Sequence, residues 1–360
     1  MFSRLQRKAA ESGLKVGVIP AGSVFERGWE ILERRKEKGW KTPFVTACLE
    51  AQCYPLKVFP QARSIVVVAC PWYYPADGPP GPTQGIIAMS GRGEDYHRVL
   101  TRVLEPLTEW LKAQGANWTF IQVDKGPLLE REAAYYSGLG YYGYNCSLIV
   151  PGWGSRVALG LVVTDLEIEP TLPAEDQRCG SCGRCLAACP TGALVSPYML
   201  QPERCLSYFT QKRGFLPPEV RPYLGQRLFG CDVCQDVCPE NEGLRGEGVS
   251  FTYPDLIEIL KLDREKFAQL FGCTALAWRG RTVLQRNAAI GLGNVRIPSE
   301  AVLYALGIAL TSPSPIVRGH AVWALGRLGV LEARQQLVAA YEREGDPGVK
   351  AEIREALNRW

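Results

Sequence analysis

Four cysteines in twelve positions, CGSCGRCLAACP from 179 to 190, have the spacing C-x2-C-x2-C-x3-C-P. Thiols set this closely read as metal ligands in a reducing compartment. In bacterial-type ferredoxins this rhythm puts three thiolates on one 4Fe-4S cluster and sends the fourth to another, so the run is incomplete by itself. A second run, CDVCQDVCP, supplies Cys231, Cys234 and Cys238, one thiol fewer than the first, and Cys205 stands alone between them. The crossing rule then gives one cluster held by Cys179, Cys182, Cys185 and Cys238, and another held by Cys189, Cys205, Cys231 and Cys234. Four thiolates also suit tetrahedral zinc, so two zinc knuckles are the competing reading. Having only two histidines, His97 and His320, disfavours mixed Cys/His zinc sites, and the x2-x2-x3-P rhythm, once whole and once truncated, favours iron. Five further cysteines, Cys48, Cys53, Cys70, Cys146 and Cys273, are scattered and read as small buried apolar residues.

Paired clusters move single electrons, so another part of the chain must hold an acceptor that does chemistry. Residues 1–170 are the place for it. Short β-rich runs, KVGVIP, SIVVVAC (64 to 70), WTFIQV (118 to 123) and SRVALGLVVT (155 to 164), alternate with helical patterns. Val99, Val103, Leu107, Trp110 and Leu111 make one helical stripe, with Asp95 as cap and Gly115 as stop. The pattern predicts an α/β (α+β) layer domain. No G-x-G-x-x-G follows a strand, and Gly85, Gly91 and Gly93 have the wrong spacing, so nicotinamide or flavin binding of that type is unsupported. Residues 171–245 are rich in Pro, Gly and Cys and form the ferredoxin-type module, a stretch its metal must organise. Over 246–360 the chain is helical, and RNAAIGLGN, PIVRGHAVWALGRLG and PGVKAEIREAL recur near a 32- or 33-residue spacing. Leu292-Gly293 returns as Leu325-Gly326 and Val317-Arg318 as Val349-Lys350, which predicts a short solenoid of paired helices rather than an ordinary helical bundle.

With 360 residues, 46% hydrophobic and 22% charged, the chain can bury two or three cores. The runs Val16 to Ile19 and Ile65 to Cys70 are too short for a signal core or a bilayer span, which predicts a cytoplasmic, membrane-free protein, taken here as a monomer. A net charge of +4 names no polyanionic partner by itself.

The chain resembles the cobalamin-dependent epoxyqueuosine reductases of bacterial tRNA modification. The blocks that carry the resemblance are GEDYHRVL (93 to 100), VDKGPLLERE (123 to 132), GLGYYGYN (138 to 145), CGSCGRCLAACPTGAL, CLSYFTQKRG (205 to 214) and GQRLFGCDVCQDVCPEN (225 to 241), in that order, with HEAT-like repeats behind them. The resemblance implies a corrin-binding α/β domain holding cobalamin base-off, with the second cluster nearest the cobalt. It also implies reduction of epoxyqueuosine to queuosine at the wobble position of tRNA, fed by an external low-potential electron donor. Asp124 matches the family's proton-donating Asp. It follows the strand WTFIQV, and a raised pKa would keep its carboxyl protonated; the alternative is that it closes the turn before Gly126-Pro127. Arg131, Ser207, Arg213 and Asp232 match positions in or near the site, and Leu148 and Leu159 match positions whose backbone lies against the corrin. In Asp95-Tyr96-His97 a cobalt-ligating D-x-H-x-x-G signature fails at Leu100, so His97 is expected near cofactor or substrate without ligating.

Three departures stand out: Gln52 where the family has an anion-binding Arg, Tyr144 in place of Lys, and Met89-Ser90-Gly91-Arg92-Gly93 before the Asp-Tyr-His. They motivate a paralogous corrinoid reductase of small molecules, dehalogenase-like, as the second reading. An electron carrier with an interaction solenoid is the third. Between 274 and 360 eleven Lys and Arg (Arg279, Arg281, Arg286, Arg296, Arg318, Arg327, Arg334, Arg343, Lys350, Arg354, Arg359) face seven Asp and Glu, a footprint for tRNA phosphates or simply a solvated helical face.

Overall fold

The computed structural model describes all residues except 41–43, 45–46, 76–77, 173–177, 245 and 247–251, so the expected module end at 245 lies outside the described residues. The chain groups into two units. One comprises Met1–Tyr73, Tyr96–Cys205 and Val233–Gly246, the other Tyr74–Asp95, Leu206–Asp232 and Glu247–Trp360.

The first unit is built on four strands: β1 (Lys15–Pro20), β2 (Ser64–Pro71), β3 (Thr119–Gln122) and β4 (Val157–Thr164), in the order β1-β2-β4-β3. Ile65 to Ala69 of β2 are all fully buried, which explains the unbroken apolar run. Every pairing is antiparallel, with Lys15 opposite Ala69, Ser64 opposite Thr164 and Gln122 opposite Leu161. The rule that ligands gather at strand carboxyl ends belongs to parallel sheets. Here antiparallel pairing brings the carboxyl ends of β2 and β3 and the start of β4 to one end of the sheet, and Asp124 follows β3 there.

The Tyr96–Ala113 helix packs on β4 and stops before Gly115, whose φ of 106° belongs to glycine. Its buried face is Leu100, Leu104, Leu107, Thr108 and Leu111, one residue round from the expected Val99 and Val103. Gly160 explains the choice: a Cβ there would stand 2.9 Å from the Leu104 side chain, so bare strand backbone receives the two leucines. The Arg184–Ala188 and Val233–Asp236 helices pack together in the same unit, over a small core of Cys146, Cys185 and Leu194 bordered by Cys189, Cys234 and Val237.

In the second unit the Arg281–Gly293 helix packs on Pro315–Leu328, which packs on Pro347–Leu357. The recurring glycines are the contact points: a Cβ on Gly293 would meet Ala324 at 2.7 Å, and one on Gly326 would meet Ala356 at 2.8 Å. Repetition of Leu-Gly is therefore repetition of one close helix crossing. Asp255 and Asp346 cap the Leu256–Lys261 and Pro347–Leu357 helices through their carboxylates.

Candidate active site and cluster thiols

Gln122, the last residue of β3, organises the loop that carries Asp124. Its amide Nε2 donates to Leu128 O (2.8 Å) and to Glu130 Oε1 (2.6 Å), while its Oε1 accepts from Leu128 N. A Cβ at Gly126 would sit 2.0 Å from that amide, so the loop can close around it only with glycine. Asp124 lies within this wrap at φ 55°, a left-handed conformation that Asp tolerates better than most side chains. Its carboxylate faces the N-terminal turn of the Tyr96–Ala113 helix: Tyr96 Oη donates to Oδ2 at 2.7 Å and His97 Nε2 lies 3.3 Å from the same oxygen. The turn-closing alternative is thereby set aside, since the side chain bonds another element. Tyr96 also stacks on His97, with ring centroids 4.1 Å apart.

The expectation of a raised Asp124 pKa is corrected. The hydrogen bond with His97, then that from Tyr96 and the charges of His97 and Arg131, hold the carboxyl below its ordinary value against the effect of burial. Burial, second only to the His97 hydrogen bond, pushes the other way and is outweighed by these partners together. A second carboxyl six residues on behaves oppositely. Burial pushes Glu130 up to about 7, although Gln122 and the Asp124 backbone N–H favour its charged form. Glu130 and Tyr96 were missed by sequence reasoning; both lie inside the quoted blocks GEDYHRVL and VDKGPLLERE, but neither spacing announces a carboxyl–phenol site.

Around Arg131 the same unit gathers further charge. Arg131 Nη1 donates to Cys146 O (2.8 Å), and buried Glu132 accepts from Tyr142 Oη (2.5 Å). Arg27 lies over the rings of Tyr142 (3.8 Å), Tyr135 and Tyr198. Leu148 is buried in a short pairing of Tyr141–Tyr142 with Leu148–Ile149, and Leu159 sits half-buried on β4. β3 pairs with β4 only from Leu161 onward, so at Leu159 that edge of β4 has no β3 partner.

The thiols of the first expected cluster are electrostatic neighbours. Cys185 feels Cys179 and Cys238, and Cys238 feels Cys179 and Cys182, each pushed up chiefly by burial. Cys189, of the other set, is raised by burial, but the backbone N–H groups of Leu194, Thr191 and Ala193 outweigh it and hold the thiol below its ordinary value. Such N–H donors suit a cluster-bound thiolate. Among the described residues no three Cys, His, Asp or Glu converge as they would on one ion; a cubane instead takes one thiolate at each of four separate irons. Of the scattered cysteines, Cys53 and Cys146 are buried as expected, Cys70 is partly so, and Cys48 and Cys273 are exposed because both fall in connections between elements.

Each departure from the family pattern has a structural use. Gln52 is buried, and its amide donates to Ala47 O (2.8 Å), so it closes its own turn. Tyr144 Oη donates to Ser181 Oγ (2.8 Å) within the first cysteine run. In the second unit Met89 N donates to Asp232 Oδ2 (2.6 Å), and buried Arg92 donates to Ile87 O and Tyr74 O. Ser207 lies on the Leu206–Gln211 helix, where its backbone carbonyl accepts from Gln211 Nε2, and Arg213 is exposed just beyond it. Of the eleven cations, two are not available to phosphates: Arg286 is fully buried, and Arg318 is engaged with Glu344 through two hydrogen bonds.

Cluster-type thiols together with stacked helical repeats define an iron–sulfur oxidoreductase with a helical-repeat extension. Sequence profiles agree: the chain matches the 4Fe-4S double cluster binding domain over 178–241, HEAT repeats over 254–358, and Epoxyqueuosine reductase QueG, DUF1730, over 53–124. It is 35% identical to the epoxyqueuosine reductase of Bacillus subtilis, with 98% of this chain and 95% of that one aligned. Two solved structures superpose on it throughout. An epoxyqueuosine reductase bound to an epoxyqueuosine-modified tRNA-Tyr stem loop gives a TM-score of 0.92 at 34% identity, covering 99% of this chain and 98% of the other. The B. subtilis enzyme with its catalytic Asp loop swung out of the active site gives 0.91 at 33%, with the same coverage. The chain belongs to the epoxyqueuosine reductase family. Among the described residues no helix is long and apolar enough to cross a membrane.

Proposed function

We propose that this chain reduces epoxyqueuosine in the wobble position of tRNA to queuosine. The observation that carries the reading is the superposition, at TM-score 0.92 over 99% of the chain, on a relative holding the epoxyqueuosine-modified stem loop. The net reaction adds two electrons and two protons to the epoxide; both C–O bonds break, the alkene forms and the oxygen leaves as water.

Asp124 supplies a proton to that oxygen. Because its partners favour the carboxylate, the proton belongs to the Asp124–His97 pair rather than to Asp124 alone: His97 Nε2, 3.3 Å away, can replace what Asp124 gives, and Tyr96 fixes the shared oxygen. Glu130, with its pKa near neutrality, holds the loop backbone at the Asp124 N–H.

Two 4Fe-4S clusters, on the two sets of four cysteines named above, carry electrons from an external low-potential donor. Cobalamin would be held by the first unit, where the edge of β4 at Leu159 has no β3 partner and the exposed Asp124 carboxylate stands at the same end of the sheet. Leu148, Leu159, Asp124, Arg131 and His97 would line it there. When bound, the corrinoid supplies a strongly reducing centre for opening the epoxide. Domain limits of 1–170, 171–245 and 246–360, a cytoplasmic location and a monomer complete the reading.

Nucleoside analysis of tRNA from a reductase-deficient host carrying this gene tests the proposal. Queuosine should replace epoxyqueuosine; persistence of the epoxide in a host with cobalamin would reject it. Anaerobic reconstitution should load about eight iron per chain.

A further inference from the structure

A hairpin tip in the first unit lies against both cysteine runs. Tyr141–Tyr142 pairs with Leu148–Ile149, and between them Gly143 N donates to Ser147 O while Cys146 N donates to Gly143 O, both at 2.9 Å. Three consecutive side chains leave this turn toward cysteines. Tyr144 Oη donates to Ser181 Oγ (2.8 Å), and Ser181 Oγ donates on to Cys179 O (3.3 Å). Asn145 is buried; its Nδ2 donates to Cys234 O (3.3 Å) and its Oδ1 accepts from Ser147 N (3.1 Å). Cys146 shares a small core with Cys185, against which Cys189 and Cys234 also pack. Backbone strain falls at the same place. Of the four non-glycine residues with positive φ among the described residues, three meet here: Cys146 (62°), Ser181 (58°) and Tyr198 (62°). Tyr198 N donates to Tyr144 O (3.3 Å), and the two rings meet edge-on with centroids 5.0 Å apart. Left-handed backbone is costly for side chains such as these and persists only where the surroundings over-determine it. A turn that served only to join two short strands would need none of these bonds.

We propose that the tip Tyr144-Asn145-Cys146 is a bracket that sets the two cysteine runs at the spacing their clusters need, with Asn145 and Tyr144 as its positioning residues. The role of those cysteines as 4Fe-4S ligands is the reading on which the bracket depends. Asn145 acts on the second run through the carbonyl of Cys234, and Tyr144 acts on the first through Ser181 and the carbonyl of Cys179. Neither supplies a ligand. Fixing a ligand's backbone fixes the direction of its thiolate, and cluster potential follows the hydrogen bonds and charges around the sulfurs. On its other side the bracket is tied by Arg131 Nη1, which donates to Cys146 O (2.8 Å) from the Glu130–Tyr136 helix, next to the Asp124 loop.

The test uses the full chain reconstituted anaerobically with iron and sulfide, read by iron content, by iron loss to a chelator and by electron paramagnetic resonance at controlled potential. Wild type should hold about eight iron. Asn145→Ala and Asn145→Asp both lose the donor to Cys234 O, and both should lose iron roughly fivefold faster, the effect of one ordinary hydrogen bond. Asn145→Asp keeps the acceptor for Ser147 N, so wild-type iron retention in that variant would mean that Asn145 only closes its own turn, and would overturn the bracket. Tyr144→Phe keeps the ring against Tyr198 and should load iron fully while changing the spectrum of the reduced clusters. Tyr144→Lys places a cation beside the first run, which favours the reduced cluster and should raise a midpoint potential. An unchanged spectrum and potential in both Tyr144 variants would equally overturn the bracket. The two readings fail separately. A wild type that takes up no iron removes the cluster reading and the bracket with it, whereas full loading with variants indistinguishable from wild type removes the bracket alone.

Discussion

Asp124 in the first unit and Arg286 in the second are both ionic groups held by hydrogen bonds, and they use their bonding capacity in opposite ways. Asp124 is largely exposed and, among the described residues, accepts on Oδ2 from Tyr96 and His97. Arg286 is fully buried, and its Nε, Nη1 and Nη2 all donate, to the carbonyls of Phe209, Thr210, Lys212 and Gly214 and to Asn287 Oδ1. Asn287 extends the network to Leu228 O and Thr210 O, both at 2.7 Å. A group proposed to exchange a proton needs access. An anchor has none, and burial, with the charge of Arg221 next, lowers its pKa to about 9.

The comparison can be broken at four points. Asp124→Asn keeps the shape and tolerates the same positive φ, so iron content and RNA affinity should persist while turnover falls about 10²- to 10⁴-fold, read in single-turnover assays. Retained turnover would move the proton donor elsewhere. At the anchor, Arg286→Met strands several buried carbonyls, and chemical denaturation should show a loss of about 3 kcal/mol or more. Less than about 1 kcal/mol would mean that the network is dispensable.

The carboxyl pair in the Asp124 loop sharpens the contrast through pH. Glu130 is raised from 4.5 to about 7, so the folded chain holds a proton there that the unfolded chain has released. Its contribution to stability is present below about 4.5 and declines as pH rises to 7; Glu130→Gln should flatten that segment of the unfolding profile. Asp124 has the reverse sign: its partners stabilise the fold above its ordinary pKa of 3.8, and this is lost as pH falls through the lowered value. The smallest effect belongs to Tyr96→Phe, which removes one donor to the carboxylate. It should raise the Asp124 pKa and move the acid limb of the pH–rate profile upward, at a cost of about 1 kcal/mol. An unmoved limb would detach Tyr96 from the proton path.

How much of this was legible depended on the range of the interactions. The four sheet strands were readable because each carries its own apolar run, and the repeat was readable because Gly293 and Gly326 serve the same close crossing. The burial of Arg286 was not, since in sequence it is one more cation in a basic stretch and its carbonyl acceptors lie more than 70 residues away. The direction of the Asp124 pKa was hidden for the same reason: Tyr96 and His97 are 28 and 27 residues upstream, and nothing local marks them as its partners.

By itself, the spacing of the cysteines determined that the chain carries a 4Fe-4S-binding domain, because cluster ligation is a matter of short chain reach around a rigid inorganic core. The order of the motif blocks determined the family. Only the tertiary structure decided which cations are buried, which carboxyl is raised and which lowered, and that the sheet at the site is antiparallel. Those properties come from desolvation and from hydrogen bonds between segments far apart in the chain, which no local pattern encodes.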